Sequence, residues 1–288
     1  MKFPIQPLRV EDFPVGFAEI PHPPEKLYAR GSLPATDLTL LSVVGSRKYS
    51  TYGKQVVAEL IAGLRDYPIG IVSGLALGID SLAHQAALDN NLYTLAIPGG
   101  GLSDEVLYPA SHKALAYQIL EAGGGLLSEF APTFKATRWS FPQRNRLVAG
   151  ISQATLLIEA EEKSGTLITA RLTADYNREL LVVPGSIFSK TSQGTHQFLK
   201  LGATPVTSGA DILDALNVAV AERNYTAPSP TLTATEENVI NILREPTHRD
   251  ELIRKLELST ADAGELLMTM ELNGHITCER NQYRTRNI

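Results

Sequence analysis

Cysteine occurs once in the 288 residues, at Cys278, so no intramolecular disulfide can form and no cysteine-rich zinc site can be assembled. None of the six histidines stands at ligand spacing from another histidine or from that cysteine. No metal and no cofactor is expected. Long apolar runs are missing as well: nothing approaches the ~20 residues of a membrane span, and Met1-Lys2-Phe3-Pro4 lacks the apolar core of a signal peptide. A cytoplasmic, reducing location is the expectation. Excess positive charge is absent, with 26 Lys and Arg against 31 Asp and Glu for a formal net charge of -5. That excludes coating duplex DNA by bulk charge, and any nucleic-acid binding has to come from a concentrated patch.

One stretch lacks acid altogether. Between Glu129 and Glu159 there is no acidic residue, while Lys135, Arg138, Arg144 and Arg146 fall there together with Phe134, Trp139 and Phe141. Cations interleaved with rings suit a single-stranded nucleic acid, the cations for phosphate oxygens and the π-faces for unstacked bases. The same composition also fits a loop whose rings cap the core and whose arginines pair with distant carboxylates. Composition leaves both readings open.

What is present in quantity is alternation. Residues 1–37 are rich in proline and read as an extended arm, because no long helix tolerates that density. From Leu38 the run Leu38-Thr39-Leu40-Leu41-Ser42-Val43-Val44 has the continuous apolarity of a strand buried on both faces. Helical spacing follows over 52–67, then a strand over 70–74. A helix over 80–90 should be capped by Asp80, with His84 one turn along it and partly buried. Strands over 93–98, 126–130, 154–160 and 180–184 alternate with helices over 111–122, 144–152 and 167–178. This rhythm predicts an α/β fold, a Rossmann-like doubly wound and mostly parallel sheet over 38–218. With 43% hydrophobic residues its core can be filled. Residues 219–233 read as a linker. Residues 234–288 carry three short helical patterns and two short strands, the order of a winged helix. Its third helix holds Asp262, Glu265 and Glu271, a poor match to a phosphate backbone, which favours a protein-contact or dimer-supporting role for this domain.

Doubly wound sheets bind ligands beyond the carboxyl ends of their strands. Those ends here are Gly45-Ser46-Arg47, Ser73-Gly74, Pro98-Gly99-Gly100-Gly101, Ser128-Glu129-Phe130, Ser164-Gly165-Thr166 and Pro184-Gly185. Glycine there lets a backbone approach phosphates, although tight turns need glycine for their own sake. Turn geometry does not account for Arg47 beside Lys48. Chemistry that makes or breaks bonds finds no support: Ser73 lacks the glycine of a nucleophile elbow, and the glycines of 99–101 do not complete a dinucleotide fingerprint.

Taken in order, Gly45-Ser46-Arg47, Ser73-Gly74-Leu75-Ala76-Leu77-Gly78-Ile79-Asp80, Tyr108-Pro109, Ser128-Glu129-Phe130, Phe141-Pro142-Gln143-Arg144-Asn145-Arg146, the 164–171 motif and Val183-Pro184-Gly185 closely resemble the DNA-processing protein A family, DprA or Smf. The likeness covers about residues 12–217 and, more loosely, the winged helix. It implies a protein that binds single-stranded DNA, dimerises and loads RecA recombinase onto incoming strands in natural transformation. It also implies that Arg47 is the principal phosphate contact, with Gly45 and Ser46 supplying backbone and hydroxyl donors beside Lys48 and Gly74. Arg138 is then a second phosphate contact and Phe141 a stacking platform. Arg144, Asn145, Arg146, Gly165 and Thr166 complete the pocket, although Asn145 and Arg146 could equally brace the fold through Glu129 or Glu159. Two departures stand out. Leu77 replaces the arginine usual in the second motif, and the stretch ahead of Leu38 is too short for the N-terminal helical domain many members carry. A second resemblance, to the LOG nucleotide phosphoribohydrolases, needs a catalytic carboxylate where Ile168 and Thr169 stand, and neither can stabilise a ribosyl cation.

Overall fold

Central strands that are apolar on both faces must be covered by helices on both faces, and the computed structural model has that form. It describes residues 2–219, 233–243, 245–256, 258–273, 275–279 and 281–285. The chain divides into two compact units, Met1–Val220 and Ala221–Ile288. In the first, strands β1 (Ile5–Pro7), β2 (Tyr28–Gly31), β3 (Thr39–Val44), β4 (Ile69–Ser73), β5 (Tyr93–Ala96), β6 (Gly125–Ser128), β7 (Ala154–Leu157), β8 (Glu179–Val182) and β9 (Thr204–Pro205) form one sheet. Their order is β1-β2-β6-β5-β4-β3-β7-β8-β9. From β6 to β9 every neighbouring pair is parallel, and only the pairs β1–β2 and β2–β6 are antiparallel.

The proline-rich arm is therefore extended and also part of the sheet. Tyr28–Gly31 pairs with β6 in the register Tyr28↔Ser128 to Gly31↔Gly125, and Ile5–Pro7 lies outside it as the edge strand, where the missing N–H of a proline is tolerated. Two 3-10 turns, Val10–Asp12 and Val15–Glu19, lie between its strands.

Helices α1 (Thr51–Ala62), α2 (Ile79–Asp89), α3 (Lys113–Glu121), α4 (Ser140–Ile151), α5 (Thr166–Asp175) and α6 (Gln193–Lys200) connect the parallel strands, and α7 (Gly209–Ala215) follows β9. Strand alternation decides which layer each helix joins. Leu41 and Val43 of β3 point to the layer holding Val57, Leu60 and Ile61 of α1, Ile79 and Ala83 of α2, and Ile212 and Leu213 of α7. Leu40 and Val44 point the other way, toward Leu147, Val148 and Ile151 of α4, Leu167 of α5 and Phe198 of α6, with Phe17, Ile20 and Leu27 of the arm. The one polar residue inside β3, Ser42, is fully buried and donates to Val148 O at 2.6 Å, as a hydroxyl in a core must.

In the second unit, α8 (Ala234–Ile242), β10 (Thr247–His248), α9 (Arg249–Leu256), α10 (Thr260–Leu272), β11 (Ile276–Glu279) and β12 (Gln282–Thr285) form a winged helix. Its sheet has the order β10-β12-β11, so a strand ahead of α9 joins the two expected ones. Val239, Leu252, Leu256, Leu267, Met270 and Ile276 make its own core. Asp262, Glu265 and Glu271 are all exposed on α10. Of the expected linker, 219–233, only Ala219 and Thr233 are described and the rest lies outside the described residues, as do Gly274 and Arg280 of the expected wing.

Candidate functional site

The parallel strand order reverses at β3: the chain moves through β4, β5 and β6 on one side, then returns to β7, β8 and β9 on the other. Loops leaving β3 and β7 diverge there, and a crevice opens at their carboxyl ends. It measures about 710 Å³ and is lined by Gly45, Ser46, Arg47, Lys48, Gly74, Arg138, Phe141, Arg144, Asn145, Gly165 and Thr166. Of the residues expected at the site, only Arg146 is not in that lining.

The turn after β3 sets up the cationic rim. Ser46 N–H donates to Glu159 O at 2.7 Å, while its Oγ donates to Lys48 O at 2.8 Å and accepts from Lys48 N–H at 3.0 Å. The Ser46 hydroxyl proton, expected to face a phosphate, goes to Lys48 O in this structure and shapes the turn. The turn throws Arg47 and Lys48 outward. Both are exposed, and neither is in an ion pair among the described residues. Thr166 likewise spends its hydroxyl internally, donating to Gly45 O at 2.9 Å and tying the start of α5 to the end of β3.

Across the crevice stands the stretch richest in cations and rings. Its helix α4 begins at Ser140, four residues before the expected start, because the buried Ser140 Oγ anchors that end. It lies 2.5 Å from Gly99 O and accepts from Thr137 N–H at 3.0 Å. Phe141 is thereby laid on Gly99, where a Cβ would come within 2.5 Å of the ring. The Arg47 guanidinium sits over the same ring at 5.3 Å from its centroid, within cation–π range. Tyr108, half exposed, closes the other edge at 5.7 Å and 56°. Tyr108 belongs to the Tyr108-Pro109 motif but lies outside the residues expected at the site. The peptide bond joining the two is cis.

The remaining rings divide differently. Phe134 stacks on Phe130 at 4.6 Å, and Trp139 meets both edge-on at 5.8 and 5.6 Å. For Phe134 the core-capping reading holds, and only Phe141 of the stretch carries its ring into the crevice. Arg138 lines the crevice from an exposed position.

The three residues after Gln143 have separate fates. Arg144 is 4% exposed and forms the floor. Its Nη1 donates to Gly74 O at 2.5 Å and to Ile97 O, and its Nε donates to Asn145 Oδ1 at 3.2 Å. Burial lowers this guanidinium to about 10, against the pull of the Asp80 charge. Asp80 is not the helix cap expected from its position, since Gly78 occupies the cap of α2. Its carboxylate turns back and accepts from Gly74 N–H at 3.0 Å and Ala76 N–H at 3.4 Å. Burial pushes that carboxyl up, while Arg144 and the two amides hold it down. Gly74 is thus gripped by its N–H and its C=O together, and a Cβ there would fall 2.1 Å from Arg144 Nη1. Arg146 faces away, donating to His22 O at 2.7 Å and pairing with Glu129. Bracing, not the pocket, is its place. Glu159, the other carboxylate considered for these arginines, accepts instead from Ser50 and Thr191 hydroxyls at 2.6 and 2.8 Å.

Ser73, Asp80 and His84 do not converge. Ser73 Oγ donates to Val43 O at 2.6 Å, and His84, fully buried and not partly so, bonds Thr94 Oγ1 at 2.7 Å. Leu77, in the place of the usual arginine, is half exposed and does not line the crevice. No group of three or more metal-binding side chains is found among the described residues, and no described helix is long and apolar enough to cross a membrane.

A doubly wound sheet with this crevice over its switch point, followed along the chain by a winged helix, defines a Rossmann-like α/β protein of two parts. The chain belongs to the DNA recombination-mediator protein A family, whose model matches residues 7–217, and that of the DprA winged helix domain matches 223–280. Protein Smf of Escherichia coli strain K12 is 34% identical over 268 residues, 90% of this chain and 71% of that one. DNA processing protein DprA of Streptococcus pneumoniae strain R6 is 38% identical over 214 residues, 74% of each chain. The X-ray structure of the S. pneumoniae protein superposes with a TM-score of 0.68 over 74% of both chains. DNA processing protein A from Helicobacter pylori, solved for insight into its single-stranded DNA binding mode, is 29% identical and gives a TM-score of 0.66 over 75% of this chain and 96% of that one.

Proposed function

We propose that this protein binds single-stranded DNA in the β3/β7 crevice and acts as a recombination mediator that protects incoming strands and loads RecA on them in natural transformation. The observation that carries the reading is the Arg47 guanidinium poised over the Phe141 ring on the rim of the crevice. A phosphate docks on Arg47, Lys48 and Arg138 while a base leaves its stack for Phe141 and Tyr108. Gly165, where a Cβ would meet open space, keeps that wall low enough for a backbone to approach, while Gly45 and Gly74 make room for Ile79 and Arg144. Stacking of this kind is worth about 1–3 kcal/mol per base and is nearly blind to sequence. Binding without bond-making is the mechanism. The crevice presents Ile168 and Thr169 where the related hydrolases need a carboxylate, and the buried Asp80 is already engaged by two amides. A homodimer would hold two crevices, so longer strands gain affinity through effective concentration. The acidic outer face of α10 points its winged helix to a protein contact over duplex reading. The test is fluorescence anisotropy with labelled single strands and the matching duplex across a salt series. Salt-sensitive binding that prefers the single strand is expected, and equal affinity for the duplex would refute the proposal.

A further inference from the structure

Beyond the crevice, on the side away from Phe141, the carboxyl ends of the strands carry a second set of exposed rings and cations that the crevice does not use. Phe188 is 92% exposed and Ile187 76%, on the loop that follows β8. Tyr49 and Tyr52, both close to half exposed, open α1. One buried carboxylate fixes the two segments to each other: Glu159 Oε1 accepts from Ser50 Oγ at 2.6 Å and from Thr191 Oγ1 at 2.8 Å. Tyr52 Oη adds a bond to Pro184 O at 2.7 Å. Exposed apolar groups gathered in one place mark an interaction surface, and the loop is held in place by Ser189 Oγ and Thr191 Oγ1, 2.9 Å apart.

The surrounding charge identifies the partner's chemistry. Lys48, Lys54 and Lys190 are exposed and in no ion pair among the described residues. Lys163 lies on the neighbouring loop after β7, and the exposed acids there are Glu161 and Glu162. Lys48 also lines the crevice, which makes the patch continuous with it. Strands β3 and β8 are two sheet positions apart, about 10 Å at ordinary strand spacing, a gap that a few nucleotides bridge. We infer that Tyr49, Phe188, Lys54 and Lys190 form a second platform, on which the single strand leaving the crevice stacks one further base and sets down further phosphates. This inference rests on the crevice being the single-strand site.

The experiment uses the full chain, wild type, Phe188→Ala and Lys190→Ala, with labelled oligothymidines of about four and about twelve nucleotides, lengths bracketing common single-strand site sizes. A residue this exposed can be replaced without unfolding the protein, which equal melting curves verify. Wild type should bind the longer strand more tightly. Phe188→Ala should weaken the longer strand about fivefold or more, the weaker end of one base–ring stack, and leave the shorter one unchanged. Lys190→Ala should flatten the salt dependence for the longer strand alone. Equal affinity of Phe188→Ala and wild type for the longer strand, with the shorter one still bound, overturns the platform but not the crevice, and assigns the loop to a protein partner. Failure of wild type to bind either strand overturns the crevice reading itself.

Discussion

Replacing Arg47 with alanine should separate binding from folding more sharply than any other single change. The side chain is exposed, makes no ion pair among the described residues, and sits over the face of Phe141. Removing it therefore leaves stability within about 0.5 kcal/mol. In the complex it gives up a charge-assisted hydrogen bond worth about 1.5–3 kcal/mol, which corresponds to roughly 10- to 150-fold in affinity. One phosphate fewer is neutralised, so the slope of log K against log salt becomes shallower by about 0.7 for a single strand. The assay is anisotropy with a short labelled oligothymidine at several salt concentrations, beside thermal melting of the same sample. Arg146→Ala is the contrast. Its guanidinium is tied to Glu129 and His22 O outside the crevice, so stability should fall by about 1–3 kcal/mol with affinity nearly kept. An unchanged Kd for Arg47→Ala, or a large loss for Arg146→Ala in a chain that remains folded, would refute the assignment of the pocket.

Phe141→Ala should weaken short single strands about tenfold, in line with one lost stack, and Phe141→Trp should restore them in the same titration. Gly74→Ala forces a Cβ to 2.1 Å from Arg144 Nη1, and Arg144 is held by two carbonyls; overpacking of this sort costs about 1–3 kcal/mol, read as a lower urea midpoint at unchanged slope. His84 supplies a pH dependence. Burial lowers it to about 3, so below the ordinary value near 6.5 the unfolded chain takes up a proton that the folded one refuses. Its contribution is complete above pH 6.5 and is lost as the pH falls toward 3, by about 1.4 kcal/mol per unit. Urea unfolding at pH 6.5 and 5 should differ by about 2 kcal/mol from this group, and a His84→Gln chain should show a correspondingly smaller drop.

Much of this architecture is written locally. A run such as Leu38–Val44, apolar at every position but two, can only be a strand buried on both faces, and strands of that kind spaced by helical segments can only close as a doubly wound sheet. The motifs that identify the family are contiguous stretches at the ends of those strands, so the crevice and nearly all its lining were legible from residue order. Three features were not, for one reason: each depends on which buried groups the fold brings to a side chain or a strand edge. The proline-rich arm shows no strand pattern, yet Tyr28–Gly31 pairs with β6. Its Arg30 is 1% exposed and bound to Phe3 O, Leu102 O, Asp104 and Tyr117. Within Arg144-Asn145-Arg146, helix geometry turns neighbours to different sides, so one arginine became floor and the other a brace. Asp80 holds the cap signature in sequence, but the buried amides of Gly74 and Ala76 need an acceptor more than the helix end does. Sequence by itself determined the sheet, the family and the place of the crevice, because periodicity and turn chemistry are local; tertiary structure decided which cations stay free to meet a phosphate, because that depends on which carbonyls and carboxylates the fold brings to each guanidinium.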